Sequence, residues 1–262
     1  MLDLYPYIYK RKSFHLFRNN KTKEEYKDKY HISNEEINEI YNVFNTLKPL
    51  IDDIKVDIKI VKPELTNCKR GEEYCILFSS EKKNNYLQNI GYIGEQLDLY
   101  LVSKNIGTLW YGIGKTNDLK NDDLDYVTMM AICKVPEDSF RKDMFKSKRK
   151  NIDEIYNGNK YNNIINIARF SPSSCNTQPW FINEDNNSLL IYRYRKEGKR
   201  GIMPKDKIIY QNLLDIGIFI LFLELILKEN DINYNKIIHD DNELNEEELV
   251  LNVIFSLGDI NV

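Results

Sequence analysis

Between residues 56 and 61 apolar and polar side chains alternate in the order Val-Asp-Ile-Lys-Ile-Val, the two-residue period of a strand with one face buried. A polar helical stretch from Asn34 to Leu47 precedes it and ends at Pro49. After it the pattern predicts a strand at Tyr74 to Phe78, a helix from about Asn84 to Lys104 and a strand at Val127 to Cys133. The same succession then returns: a helix from about Asn151 to Phe170, strands at Trp180 to Asn183 and Ser188 to Tyr194, a helix from about Lys207 to Glu229 and a strand at Glu248 to Ser256. The longest apolar run, Ile216 to Leu227, is broken by Gly217 and Glu224. It falls short of the roughly 20 residues that cross a bilayer and is expected to be a core helix. The acidic stretch Asp240 to Glu248 is expected to be a solvated loop, with an interaction surface as the alternative.

One offset of 123 residues separates Gln88-Asn89 from Gln211-Asn212, Ile93-Gly94 from Ile216-Gly217, Pro49 from Pro172, and Val127 from Val250. Four landmarks at one offset point to an internal duplication. Each half holds one long apolar helix and a few strands, too little to close a core alone. The expectation is an α+β fold of two related halves, 1–145 and 146–262, packed together.

Composition narrows the function classes. Of 262 residues, 42% are hydrophobic and 12% aromatic, enough for a buried core. Lys and Arg number 37 against 40 Asp and Glu, mixed along the chain, so neither nucleic acid nor an anionic membrane is expected as partner. No basic segment followed by an apolar run opens the chain, which predicts a cytoplasmic protein. The cysteines at 68, 75, 133 and 175 form no C-x-x-C pair and the histidines at 15, 31 and 239 complete no metal-ligand spacing. No metal is expected, and each thiol reads as a small buried hydrophobe.

Three segments could carry chemistry. Lys10-Arg11-Lys12-Ser13 offers consecutive donors for a phosphate or other anion, although such clusters are often plain surface. Pro172-Ser173-Ser174-Cys175-Asn176-Thr177-Gln178-Pro179-Trp180 sets hydroxyl and amide groups between two prolines, which suits a planar heteroaromatic ligand or a rigid turn. In Ile106-Gly107-Thr108-Leu109-Trp110-Tyr111-Gly112-Ile113-Gly114, Gly107 is placed to end the preceding helix and the later glycines to admit a ligand. No strand is predicted before it, so it is not a dinucleotide fingerprint.

Together the three segments resemble the nitroreductase family of flavoproteins, which shows an R-R-S cluster, a P-S-x-x-N-x-Q-P-W loop and a G-x-G-T-x-W-x-G segment. The chain reads Arg11-Lys12-Ser13, Pro172 to Trp180 and Ile106 to Gly112, with Lys146-Ser147-Lys148-Arg149-Lys150 similar to the family's further phosphate-reaching basic segment. The order departs from ordinary members, whose proline-serine loop precedes the glycine segment. Those members are homodimers with FMN at the subunit interface. The resemblance is therefore closest to single-chain, pseudo-dimeric nitroreductases, and it implies one intact FMN site, one decayed site and a monomer.

The resemblance assigns Arg11, Lys12, Ser13, Lys146, Lys148 and Arg149 to the flavin phosphate and ribityl chain, with His15 where the family has a second basic residue. It assigns Pro172, Ser173, Ser174 and Asn176 to the isoalloxazine edge, Gln178 to loop support, and Trp110 with the backbone of Tyr111 or Gly112 to the neighbourhood of N5. No side chain is required as acid or base. The implied function is reduction of small electron-poor acceptors, nitroaromatic or quinone in type, by NADH or NADPH through bound FMN in a ping-pong cycle. The alternatives are a non-catalytic flavin-binding or interaction protein, and a redox sensor using Cys175.

Overall fold

A computed structural model describes residues 2–117, 123–194 and 205–258. Its contacts divide the chain into two units, residues 1–86 with 93–144 and residues 87–92 with 145–262.

In the first unit, helix α1 (Tyr5–Lys10) starts on Pro6, whose fixed φ suits a first turn. Helix α2 (Asn34–Phe44) begins on a reciprocal cap. The Glu36 amide donates to Ser33 Oγ at 3.2 Å and the Ser33 amide to the Glu36 carboxylate at 3.0 Å. Strands β1 (Val56–Val61), β2 (Tyr74–Ser80), β3 (Ile106–Trp110) and β4 (Asp125–Lys134) form an antiparallel sheet in the order β1-β2-β4-β3. Helix α3 (Tyr86–Ser103) connects β2 to β3.

Strand β3 corrects the expectation of a turn after that helix. Asn105, with φ 57°, takes the left-handed position past the helix end instead of Gly107. Gly107 lies inside β3 opposite Cys133, where a Cβ would stand 2.8 Å from the Phe14 ring. Gly114 likewise serves packing, because a Cβ there would stand 2.4 Å from the Met129 side chain.

The second unit repeats the topology. Strands β6 (Trp180–Asp185), β7 (Ser188–Tyr194), β8 (Tyr234–Ile238) and β9 (Leu249–Leu257) run β6-β7-β9-β8, all antiparallel, with the short strand β5 (Tyr156–Asn157) added in parallel beside β6. The two sheets share an irregularity as well as an order. In β2·β4 the register skips Val127 and in the corresponding β7·β9 pair it skips Asn252.

The single helix predicted over 151–170 is instead a 3-10 turn, strand β5 and helix α4 (Asn162–Ala168). The break lies at Asn157-Gly158-Asn159. A Cβ on Gly158 would stand 2.5 Å from Glu184, whose carboxylate accepts the amides of Asn159 and Lys160 at 3.0 Å and the hydroxyl of Tyr156. These outside acceptors give the amides a better partner than a helix turn would. The loop before β9 lies where it was expected, but Asp241 is not solvated. It is buried in a bidentate pair with Arg193 at 2.6 and 3.0 Å.

Helix α5 (Lys205–Glu229) is long and apolar enough to cross a membrane by composition, yet most of it is buried inside the protein, as a core helix requires. Residues 87–92 pack against it backbone to backbone. A Cβ on Gly91 would lie 2.0 Å from the Leu214 carbonyl oxygen, and one on Gly217 would lie 1.9 Å from that of Gln88. Glycine in a helix interior costs roughly 0.5–1 kcal/mol against alanine. Here the steric term reverses the sign. Gly217→Ala is expected to destabilise the protein by about 3 kcal/mol or more, read as a lowered urea midpoint. Gly258→Ala, where the nearest atom is 3.4 Å away, should move it little.

Candidate functional site

Past α1 the chain becomes extended at Arg11, and Ser13 bridges to Thr108 of β3, with the Phe14 amide donating to the Thr108 carbonyl at 2.9 Å. The N-terminal basic segment and the glycine-tryptophan segment are thereby joined within the first unit. Arg11 turns inward and is 4% exposed. Its Nε donates to Asp98 at 3.0 Å and lies 3.5 Å from Glu95, while NH1 donates to Ser13 Oγ at 3.2 Å. Asp98 also accepts from Thr108 Oγ1 at 2.6 Å, and Glu95 from the Trp110 indole at 3.0 Å.

Burial pulls the guanidinium pKa down, but Asp98 and Glu95 outweigh it and the net shift is upward. Two carboxylates face one guanidinium. Burial and the Asp98 charge push Glu95 well above the carboxylate range. The charge of Arg11 is therefore committed to α3, and its contribution to a ligand is to fix Ser13 in place.

Lys12 and Arg141 are different. The Arg141 amide donates to the Lys10 carbonyl at 3.0 Å, which sets this residue beside the N-terminal segment. Burial and then the Arg11 charge bring Arg141 down to about 10, while burial and then Arg141 lower Lys12. The Lys12 ammonium stands 4.5 Å from the centre of the Phe14 ring. Among the described residues neither cation has a carboxylate partner. Partly buried cations that repel one another without a counter-ion have the chemistry to hold an anion. Sequence reasoning missed Arg141 because 129 residues separate it from Lys12 and no motif marks it.

Trp110 stacks on Phe78 with ring centres 5.6 Å apart, in space that a Cβ on Gly94 would enter at 2.4 Å. The Tyr111 amide donates to the Met129 carbonyl at 2.8 Å.

In the second unit the loop from Pro172 to Gln178 is strained. Cys175, Asn176 and Gln178 have φ of 51°, 56° and 50°, the left-handed region that side chains disfavour by about 1–3 kcal/mol each. Hydrogen bonds over-determine it. Ser173 Oγ accepts the Gln178 amide at 3.0 Å, Ser174 Oγ donates to Gln211 at 3.1 Å, and Thr177 Oγ1 donates to Asn212 at 3.2 Å. The basic segment closes the other side. Arg149 donates to Asn176 Oδ1 at 3.0 Å and to the Phe170 carbonyl at 3.2 Å, Asn176 Nδ2 donates to the Lys148 carbonyl at 3.2 Å, and Lys150 reaches Gln178 through its amide at 2.8 Å and its ammonium at 3.0 Å. Pro172 is buried, and the Lys146 and Lys148 side chains are exposed. The Ser173 side chain is thus engaged within the loop, and those of Ser174 and Asn176 are engaged by α5 and the basic segment.

Asp215 of α5 lies beneath this loop and accepts the Ser174 amide at 2.9 Å. Burial raises its carboxyl to about 8, against the opposing pull of its bonds from Ser174 and Thr177. The unfolded chain releases this proton near the ordinary aspartate value of about 3.9, whereas the folded chain holds it to about 8. The stabilisation is therefore full below the unfolded value and is lost as pH rises through about 8. Urea midpoints measured across about pH 6 to 9 should fall for the protein and fall less for Asp215→Asn. Equal slopes would contradict this account.

The whole chain can be compared with solved structures. It superposes on a putative nitroreductase of Thermotoga maritima MSB8 with a TM-score of 0.60 at 17% identity, covering 100% of this chain and 95% of that one, which establishes the shared fold. A putative NADH oxidase of Clostridium acetobutylicum matches 57% of this chain and 96% of its own at 12% identity and a TM-score of 0.40. A putative NADH dehydrogenase/NAD(P)H nitroreductase of Parabacteroides distasonis matches 61% and 99% at 11% identity and a TM-score of 0.41. No curated protein matches the chain. The sequence model of the family described as "Putative TM nitroreductase" matches residues 3–227, and the chain belongs to that oxidoreductase family.

Proposed function

We propose that this chain binds FMN and reduces small electron-poor acceptors of nitroaromatic or quinone type with NADH or NADPH in a ping-pong cycle. The observation that carries the reading is the Lys12–Arg141 pair, two partly buried cations without a carboxylate, in a chain of the nitroreductase family. Their chemistry fits the FMN phosphate. Arg141 can meet two oxygens at once, Lys12 supplies a point charge, and Ser13, positioned by Arg11, adds a hydroxyl. Bound FMN supplies the hydride chemistry, and the protein is left to bind, orient and exclude water.

Lys146, Lys148 and Arg149 are assigned to the phosphate and ribityl chain, Pro172, Ser173, Ser174 and Asn176 to the ring edge, and Gln178 to loop support. Because bonds from Gln178, Gln211 and Arg149 already hold the loop, it offers a ring a rigid polar edge and little ordering is left to binding. Trp110 and the backbone of Tyr111 or Gly112 are assigned to the neighbourhood of N5. The reading includes a cytoplasmic location and a monomer, the latter supported by both copies of the repeat lying in one chain.

The purified protein should be yellow and yield FMN, or take it up on reconstitution. Lys12→Ala and Arg141→Ala should each weaken FMN binding about tenfold to a hundredfold, the worth of a charged hydrogen bond. Binding of riboflavin, which lacks the phosphate, and the Tm should stay nearly unchanged. Failure to take up FMN, or undiminished FMN affinity in both variants, would overturn the proposal. Stoichiometric FMN without NAD(P)H oxidation would favour a non-catalytic flavin protein.

A further inference from the structure

The first unit contains a cluster that the flavin reading does not use. Cys68, Glu72 and Cys75 are buried, at 0%, 2% and 0% exposure, and the two sulfurs and a carboxylate oxygen all lie within 4.8 Å of one another. The loop geometry explains how residues so close in sequence converge. Thr66 Oγ1 accepts the Cys68 amide at 3.1 Å, Gly71 turns the chain at φ 80°, and Glu72 then faces back while its Oε2 accepts the Arg70 amide at 2.7 Å. The loop is tied down at both ends. Asn67 Oδ1 accepts the Lys115 amide at 2.7 Å, and the Glu73 amide donates to the Ile132 carbonyl at 2.9 Å.

One atom is left unexplained. Glu72 Oε1 is buried with no hydrogen-bond partner; among the described residues no cation is in ion-pair contact with this carboxylate, and Lys27 acts on it only from a distance. A buried carboxylate with no counter-charge in contact is costly. Neutral thiols beside it do not supply one, and a Cys68–Cys75 disulfide would leave Glu72 equally unanswered. A divalent cation satisfies the oxygen and both sulfurs together. Two thiolates exclude calcium and magnesium, and a compact set of two sulfurs with one oxygen suits zinc.

We propose that Cys68, Glu72 and Cys75 bind a structural zinc ion. Binding releases the two thiol protons to solvent and leaves two thiolates and one carboxylate around the metal. An oxygen completes the tetrahedron. Thr66 Oγ1 lies 3.7 Å from the Cys75 sulfur, near the sulfur-to-oxygen edge of about 3.6 Å in a zinc tetrahedron, and a water is the other source. The spacing Cys-x3-Glu-x2-Cys escapes a search for C-x-x-C pairs, which is why the sequence suggested no metal. The ion would fasten the 66–75 loop, whose Arg70 guanidinium stands 5.8 Å from the Tyr111 ring centre, onto β2.

The test is elemental analysis of the full-length protein purified from zinc-supplemented cells without chelator. About one zinc per chain is expected, falling to about a tenth or less in both Cys68→Ser and Cys75→Ser, with Glu72→Gln weakening affinity about tenfold or more. Replacement by cobalt gives a readout on the unaltered chain, a thiolate-to-cobalt charge-transfer band, that stands even if the serine variants fail to fold. A protein with neither zinc nor that band would overturn the proposal. So would zinc retained in folded Cys68→Ser, or a Cys68–Cys75 disulfide in the non-reduced peptide map.

Discussion

Every residue from Tyr86 to Val102 on α3 is buried, so no polar group on that helix can rely on water. Each must be answered by the protein, and the answers organise much of the fold. Gln88 donates to Asn252 at 3.2 Å, Tyr92 to Glu224 at 2.6 Å, and Gln96 to the Lys48 carbonyl at 2.8 Å. Glu95 and Asp98 draw in Arg11, Thr108 and Trp110. The last group bears most directly on the candidate site. It consumes the arginine that opens the N-terminal basic motif, while Lys12 and Arg141 have no carboxylate among the described residues.

The legible parts of the fold were those with a one-dimensional signature. Strand β1 has the bounds that its alternation predicts, and α5 was visible as the longest apolar run. What escaped depends on distant partners. Strand β3 carries a glycine because Phe14 lies against it, β8 has its exposed Ile237 at the sheet edge, and the 151–170 segment breaks because Glu184 holds two of its amides. Asp241 looked solvated among acidic neighbours, whereas Arg193 from β7 buries it.

The candidate site divides in the same way. Its motif segments could be read directly, including the basic cluster after Phe145 that clamps Asn176 and Gln178. Their internal commitments could not. That Arg11 turns inward, that the Tyr111 amide belongs to Met129, and that Arg141 joins Lys12 all require residues far apart in sequence to meet. Local pattern specifies which groups are available. Only the fold decides which of them are already spent.

Gly94 and Gly217 occupy equivalent places in the repeat, yet one makes room for the rim of an indole and the other for a main-chain carbonyl. An indole can be traded for a smaller ring or tilted aside, but a helix carbonyl has no alternative rotamer. Position 94 therefore stays open to paired change with residue 110 during divergence, whereas position 217 is closed while the two helices touch. Two copies that began with the same glycine now differ in how far each can evolve.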